Sequence, residues 1–391
     1  MHTVIVGGGF AGVKAALELS KKQLGQITLV SDEPYFLHHA TLYQVATGRD
    51  AQSSVISLKD IFALHHDVTV VQDRMVSVDS ARKTVVCEAS KIKYDELVIA
   101  IGTVTDYFGI EGLRRHSFGI ATLDQVRRLK HHIHDDVASS RHPNKTYVIV
   151  GGGLTGVELA GALGSYLREV ARAHDTIRMK MTITLVEKES RLVPNLSKTA
   201  SKKMSTRLKK LGVKIITNHR VESLTKDSVT IDGKKIPAHT VVWTSGSQNN
   251  PFFARQSHDF ERNDDGRVVV NQYFETGENI YVLGDNAAVA YAGHAQTALN
   301  EATYIADHLT RKATGQALRI YRPHPVAVSV PVGEKWAYVE KYNIYAAGKV
   351  GFYLHRLSEL RRLMKLLSRN QAMSAWRAQN VHDSDCDLCD V

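Results

Sequence analysis

The chain carries one glycine spacing twice: Gly7-Gly8-Gly9-Phe10-Ala11-Gly12 near its start and Gly151-Gly152-Gly153-Leu154-Thr155-Gly156 in its middle. A single G-x-G-x-x-G says little, because glycines recur in many turns. Here each copy follows a short apolar run, residues 3–6 and 146–150, and precedes a helical pattern. That context predicts two strand–turn–helix dinucleotide cradles in one chain. In each, the first glycine permits the tight turn, the second lets backbone approach a pyrophosphate, and the third lets helix and strand pack closely. The helix start then offers the phosphates free N–H groups and a partial positive charge. Two dinucleotides on one protein predict electrons passing between them.

The second strand of such a unit should end at a group that holds ribose hydroxyls, usually a carboxylate. In the first unit the run Ile27-Thr28-Leu29-Val30-Ser31-Asp32 leaves two candidates, Ser31 at the tip or Asp32 beside it. In the second unit, Ile183-Thr184-Leu185-Val186-Glu187 ends in an acid. A carboxylate there repels a 2′-phosphate, so Glu187 favours NADH over NADPH, and Lys188 next to it acts against that preference.

A chain of 391 residues has room for two or three domains, and 43% hydrophobic with 23% charged residues is a globular composition. No run of 18 apolar residues predicts a spanning helix. The first strand begins at once, so no signal or transit peptide is expected. Cys87, Cys386 and Cys389 are too few for a disulfide framework. Cys87 reads as a packed strand residue. Cys386 and Cys389 form a C-x-x-C in an acidic tail, open to metal binding, redox pairing or no role. His38-His39 and His131-His132 have no metal-ligand spacing, and no metal site is expected.

The fold class is α/β, with two Rossmann-like domains. Residues 68–71 and 84–88 read as strands of a connecting sheet. Residues 94–102, 241–246 and 280–285 each read as an apolar strand ending in glycine, so the chain returns to its first domain after a second is inserted. The boundaries follow as 1–113 and 235–318 for the first domain, 114–234 for the second, and 319–391 for a C-terminal region.

The net charge of +10 is unevenly spread. Lys202, Lys203, Arg207, Lys209, Lys210 and Lys214 crowd one helix and its exit, a solvated face. Arg356, Arg361, Arg362, Lys365, Arg369 and Arg377 interleave with Leu354, Leu357, Leu360, Leu363, Met364, Leu366, Leu367 and Met373. The spacing predicts a helix with one apolar and one basic face, suited to a surface of anionic lipid. A face packed on the protein's own core, or on a second copy, is the alternative. No motif supports nucleic-acid binding.

Four further segments carry a resemblance: Leu42-Tyr43-Gln44-Val45-Ala46-Thr47-Gly48, Val242-Trp243-Thr244-Ser245-Gly246, Gly284-Asp285, and Ala295-Gln296-Thr297-Ala298-Leu299-Asn300. With the second fingerprint and its continuation Val157-Glu158-Leu159-Ala160-Gly161, the chain resembles the two-dinucleotide flavoproteins over roughly residues 1–320. It is most similar to the type II NADH dehydrogenases, single-chain NADH:quinone oxidoreductases. Leu154 stands where that family commonly has proline, and Asn300 where it has a second glutamine. Gln296 and Asn300, four apart, share one helix face. The disulfide reductases of the superfamily carry a cysteine pair after the first fingerprint, and none exists here.

The resemblance implies FAD in the first cradle, held by Gly7, Gly9, Phe10, Ala11, Gly12, Ser31 or Asp32, Ala100, Gly102, Gly284, Asp285, Ala295, Gln296 and Thr297. It implies NADH in the second, held by Gly151, Gly153, Leu154, Thr155, Gly156, Glu158, Glu187, Ser245 and Gly246. Glu158, Gln296 and Asn300 are the expected catalytic residues. It further implies a quinone acceptor; with no spanning helix no proton pumping is expected, and the few cysteines and the basic amphipathic helix predict a cytoplasmic protein peripheral on the inner face of the membrane. Deleting residues from about 352 is then expected to spare flavin binding. Two other readings stay open: a soluble NAD(P)H-dependent reductase of a small redox protein, and a redox-sensing FAD/NAD-binding protein.

Overall fold

The computed structural model describes residues 1–138, 144–177 and 179–381; Cys386 and Cys389 lie outside them. The chain opens with β1 (His2–Val6), α1 (Phe10–Lys22), β2 (Gln26–Ser31), the short α2 (Leu42–Ala46), β3 (Val68–Gln72) and β4 (Glu96–Ile99). It crosses into α3 (Leu123–Ala138), β5 (Asn144–Val150), α4 (Leu154–Ala173), β6 (Lys180–Val186), α5 (Lys198–Lys210), β7 (Lys214–Ile216) and β8 (Thr240–Trp243). It returns through β9 (Glu275–Gly277), β10 (Ile280–Val282) and α6 (Ala295–Ala313), and closes with β11 (Val328–Pro331), β12 (Ala337–Lys341), β13 (Ile344–Gly348), α7 (Lys349–Leu363) and α8 (Arg369–Ala378).

Two sheets organise these elements. The first runs β9-β10-β4-β1-β2-β3, parallel except for β9, and the second runs β7-β6-β5-β8, all parallel. Parallel strands covered on both faces have to be apolar throughout. Val4, Ile5, Leu29, Leu97, Val98 and Ile99 are all fully buried. Residues 68–71 are β3, the edge of the first sheet, and so do not belong to a connecting sheet: Val68 pairs with Ile27. Thr84–Cys87 does lie in a separate three-stranded meander with Met75–Asp79 and Lys91–Lys93. β8 lies beyond the boundary read at residue 234, yet it pairs with β5 in the second sheet, Trp243 opposite Val150. The return to the first unit therefore comes after Trp243.

The two units are fastened together in two places. Thr103–Thr105 pairs antiparallel with Ser247–Asn249 as the chain passes between them. In addition α2, reached from the first unit, packs against α3 and α4, and Leu42, Tyr43, Val45 and Ala46 join the core of the second unit.

The C-terminal region is distributed over both units. β11, β12 and β13 form a small antiparallel sheet whose Val330, Val332 and Tyr338 enter the second core. Leu363, Leu366, Leu367, Ala372 and Ala375 enter the first. The expected single amphipathic helix is two, α7 and α8, and the apolar stripe is divided: Leu354 and Leu357 face outward, while Leu363 and two of the expected basic residues, Arg356 and Arg362, turn inward. The inward face of α7 is Gly351, His355, Arg356, Glu359 and Leu363, and Val350, Tyr353, Leu354 and Leu357 point outward. The polar residues turn in because partners await them there: the Ser329 hydroxyl for His355, Gln379 and the Trp376 carbonyl for Arg356. Deletion from about 352 would remove core residues, so the expectation that it spares flavin binding does not hold.

Candidate functional site

Both glycine loops have the geometry their spacing predicts. Gly7 and Gly151 sit at φ +121° and +114°, which an L side chain rarely adopts. A Cβ on Gly12 would fall on the Gly7 carbonyl, and one on Gly156 on the Gly151 carbonyl, so the third glycines secure close helix packing. The middle glycines differ. No protein atom lies within 4 Å of a Cβ built on Gly9 or Gly153. These open floors are where a pyrophosphate would rest.

The helix starts agree. α1 begins at Phe10 behind Gly9, α4 at Leu154 behind Gly153, and α6 at Ala295 behind His294, all without a side-chain cap. By contrast α5 and α8 are capped by Ser197 and Ser368. The first three, like the short α2 and α7, keep first-turn N–H groups for another acceptor. At the start of α6 the buried Thr297 hydroxyl also has no partner. Open floors, uncapped starts and this orphaned hydroxyl together fit two bound dinucleotides.

At the strand tips, Ser31 and not Asp32 stands level with Glu187. Val30 pairs with Val6 as Val186 pairs with Val150, so Ser31 occupies the place of Glu187. Gly8 faces the Ser31 hydroxyl as Gly152 faces Glu187. Asp32, one residue on, is exposed and lies 3.5 Å from Arg74. Glu187 is buried, accepting the Gly152 N–H at 2.5 Å and the Glu189 N–H at 2.8 Å. Those two bonds fix its carboxylate at the tip and leave lone pairs for ribose hydroxyls. Lys188 is exposed and pairs with Glu189.

The remaining expected contacts gather where the two glycine-ended strands of the first unit meet. Ala100 lies against Gly7. The Gly102 N–H donates to Asn286 Oδ1 at 2.9 Å, and Asn286 Nδ2 donates to the Gly102 carbonyl and to Asn249 Oδ1. Asp285 accepts the Gly293 N–H at 2.8 Å. The Gly284 N–H donates to Glu301 Oε2 at 2.6 Å. Glu301 is fully buried, and burial pushes its carboxyl up to about 8 against the opposing Gly284 hydrogen bond. In the second unit Ser245 and Thr244 lie against Gly151, and Gly246 takes φ +73°. Leu154 and Thr155 form the first turn of α4.

Gln296 and Asn300 do share a face: Gln296 Nε2 donates to Asn300 Oδ1 at 2.7 Å. Lys365 Nζ, just past α7, donates to Gln296 Oε1 at 3.1 Å. Glu158, in the second turn of α4, is held well above the usual carboxylate range by burial, with Arg362 acting against it. Arg362 also pairs with Glu359. One turn of chain, Arg362 to Lys365, thus addresses Glu158 of the second unit and Gln296 of the first. The sequence reading assigned both cations to a surface. Glu359 lies one helical turn from Arg362, but Glu158 and Gln296, which turn the two cations inward, lie far away in sequence. His38, Glu301 and Asn286 were missed for the same reason.

A family model described as pyridine nucleotide-disulphide oxidoreductase matches residues 1–302. The chain belongs to this family. Among curated relatives it is 25% identical over 385 residues to type II NADH:quinone oxidoreductase of Staphylococcus aureus strain MSSA476, covering 93% of this chain and 95% of that protein. Among solved structures it superposes on NDH2 from Plasmodium falciparum in complex with NADH, with TM-score 0.87 and 16% identity, covering 98% of this chain and 99% of that one. It also superposes on the sulfide:quinone oxidoreductase of Aquifex aeolicus, with TM-score 0.80 and 21% identity, covering 95% and 92%. The family is named for disulphide chemistry, but the only cysteine among the described residues, Cys87, is buried in the meander.

Proposed function

We propose that this protein is an FAD-dependent NADH:quinone oxidoreductase that works at the inner face of the cell membrane and pumps no protons. The turn from Arg362 to Lys365 carries this reading. Within one helical turn it reaches both the acid on the helix of the second unit and the amide pair at the start of α6, which supports their acting together. A bound FAD would supply the two-electron carrier that accepts hydride from NADH and passes electrons to the quinone. The open floors at Gly9 and Gly153 and the uncapped starts of α1 and α4 would hold the two pyrophosphates. Ser31 and Glu187 would take the ribose hydroxyls, and Glu187 would repel the 2′-phosphate of NADPH. The start of α6, reinforced by Lys365, would stabilise negative charge beside Ala295, Gln296 and Thr297. Hydride brings two electrons and one proton, and a quinol needs two of each. The remaining proton has to come from the medium, and Glu158 is placed to hold it.

The membrane part rests on the outward face of α7 and β13. Ile344, Val350, Tyr353, Leu354, Leu357 and Met364 are exposed there, with Lys341, Lys349 and Arg361 exposed among them. Apolar side chains rimmed by cations suit an anionic lipid surface. No helix among the described residues is long and apolar enough to cross a membrane.

The test is anaerobic. NADH should bleach the yellow protein, and menaquinone or ubiquinone should restore its colour within turnover time. Faster re-oxidation by a rubredoxin or ferredoxin than by any quinone would replace this reading with that of a redox-protein reductase.

A further inference from the structure

Behind Glu158 lies a second buried acid that the reaction outlined above does not use. Glu359, on the inward face of α7, has a side chain 2% exposed, and one of its oxygens pairs with Arg362. Its other oxygen, Oε2, has no hydrogen-bond partner and stands 3.7 Å from His38 Nε2, which also has none. His38 is fully buried. Its Nδ1 lies 3.1 Å from the Thr41 hydroxyl, which is 2.6 Å from that of Ser54. Either hydroxyl of that pair can be the donor, so the imidazole can take its proton on either nitrogen.

Two acids therefore share one guanidinium. Among the described residues Arg362 is the cation that acts against burial at Glu158, and it is also paired with Glu359. Other groups packed here do not change that count. His355 is fastened to the Ser329 hydroxyl at 2.8 Å. Arg356 is turned to Gln379 and to the Trp376 carbonyl and ring, with Arg49 near it, while Tyr43 stands between Arg356 and Glu158 and is kept a neutral phenol by burial and by the Glu158 charge.

We propose that His38 and Glu359 form a buried proton-holding pair that sets the proton affinity of Glu158 through Arg362. With a proton on the pair, Glu359 is neutral and the guanidinium acts on Glu158 alone, favouring its ionised form. With the pair deprotonated, Glu359 claims part of Arg362 and Glu158 keeps its proton. The cluster thus holds the one proton that NADH does not bring. The balance is NADH plus quinone plus one proton from the medium, giving NAD⁺ and quinol. His38 and Glu359 are positioning residues, since neither touches a reacting atom. Burial pushes the His38 imidazole down to about 3, which keeps it neutral and puts the stored proton on the carboxyl side. The inference rests on the proposed function for its acceptor, though not for its proton.

The test is redox-difference infrared spectroscopy of the flavin-loaded protein, reduced by dithionite, together with the pH profile of quinone reduction. Wild type should show protonated-carboxyl bands that change on reduction, and Glu359→Gln should lose one of them. With Glu359 permanently neutral, Glu158 should ionise at lower pH. The alkaline limb of quinone reduction should then move down, and the rate above it should fall by about tenfold for each unit moved. Glu359→Asp should keep the band, displaced. An unmoved pH limb in Glu359→Gln overturns the proposal, as does a wild-type spectrum with no carboxyl band. The second outcome decides even if the variant loses its flavin. A protein that reduces no quinone but keeps these bands would defeat the functional reading and leave the proton pair standing.

Discussion

A single atom at Gly9 separates folding from cofactor binding. Its backbone, φ −87° and ψ −168°, is open to any residue, and an added Cβ meets no protein atom. Gly9→Val should therefore fold and purify colourless, because the side chain takes the pyrophosphate's space. Gly12→Ala should instead lose stability, since its Cβ would fall on the Gly7 carbonyl. A yellow Gly9→Val protein with full flavin absorbance would refute the assignment of this cradle. Glu301 allows a test of sign. Its carboxyl is raised to about 8 from 4.5, so the folded state binds more protons than the unfolded state between those values. Its contribution is greatest below pH 4.5 and is lost as pH rises towards 8, by an amount on the order of a few kcal/mol. Glu301→Gln should flatten that slope, so the variant gains in melting temperature on wild type from pH 5 to 8. Parallel melting curves across that range would contradict the burial argument.

Among the elements, α7 is the one whose orientation the sequence does not reveal. Its outward apolar residues stabilise little in the fold, so Leu354→Asp with Leu357→Asp should change stability by no more than about 0.5 kcal/mol per site. Turnover with a water-soluble quinone analogue should persist, and co-sedimentation with anionic vesicles should fall sharply. Arg361→Gln should give a smaller loss, about 1 kcal/mol, that disappears at high salt. If wild type ignores vesicles and the double substitution converts a dimer to monomers, this face joins two copies of the chain.

The whole molecule depends on how its two units are held in register. Asn286 is a principal fastening: fully buried, it bonds both the N–H and the carbonyl of Gly102 and reaches Asn249, where the crossing ribbon ends. Asn286→Ala leaves those groups unpaired, at about 1–3 kcal/mol for each that stays buried. Thermal unfolding should show the loss, and flavin should be released more readily on dilution. An unchanged melting temperature would mean that the ribbon alone sets the register.

What the sequence determined by itself is local and periodic. Glycine spacing and apolar strand runs fix the two cradles, with a terminal acid in the second, because each depends on residues within one strand–turn–helix unit. Glu158, Gln296 and Asn300 came from the family resemblance, and the structure puts each within two turns of a helix start. Tertiary structure decided whatever required a distant partner. Ser31 takes the tip and Asp32 does not, because strand register sets which side chain faces the glycine loop. β8 joins the second sheet because pairing with β5 outweighs chain order. Arg362 and Lys365 read as surface cations until Glu158 and Gln296 come beside them. A buried charge is stable only with its partner, and spacing along the chain carries no record of a partner supplied by another unit.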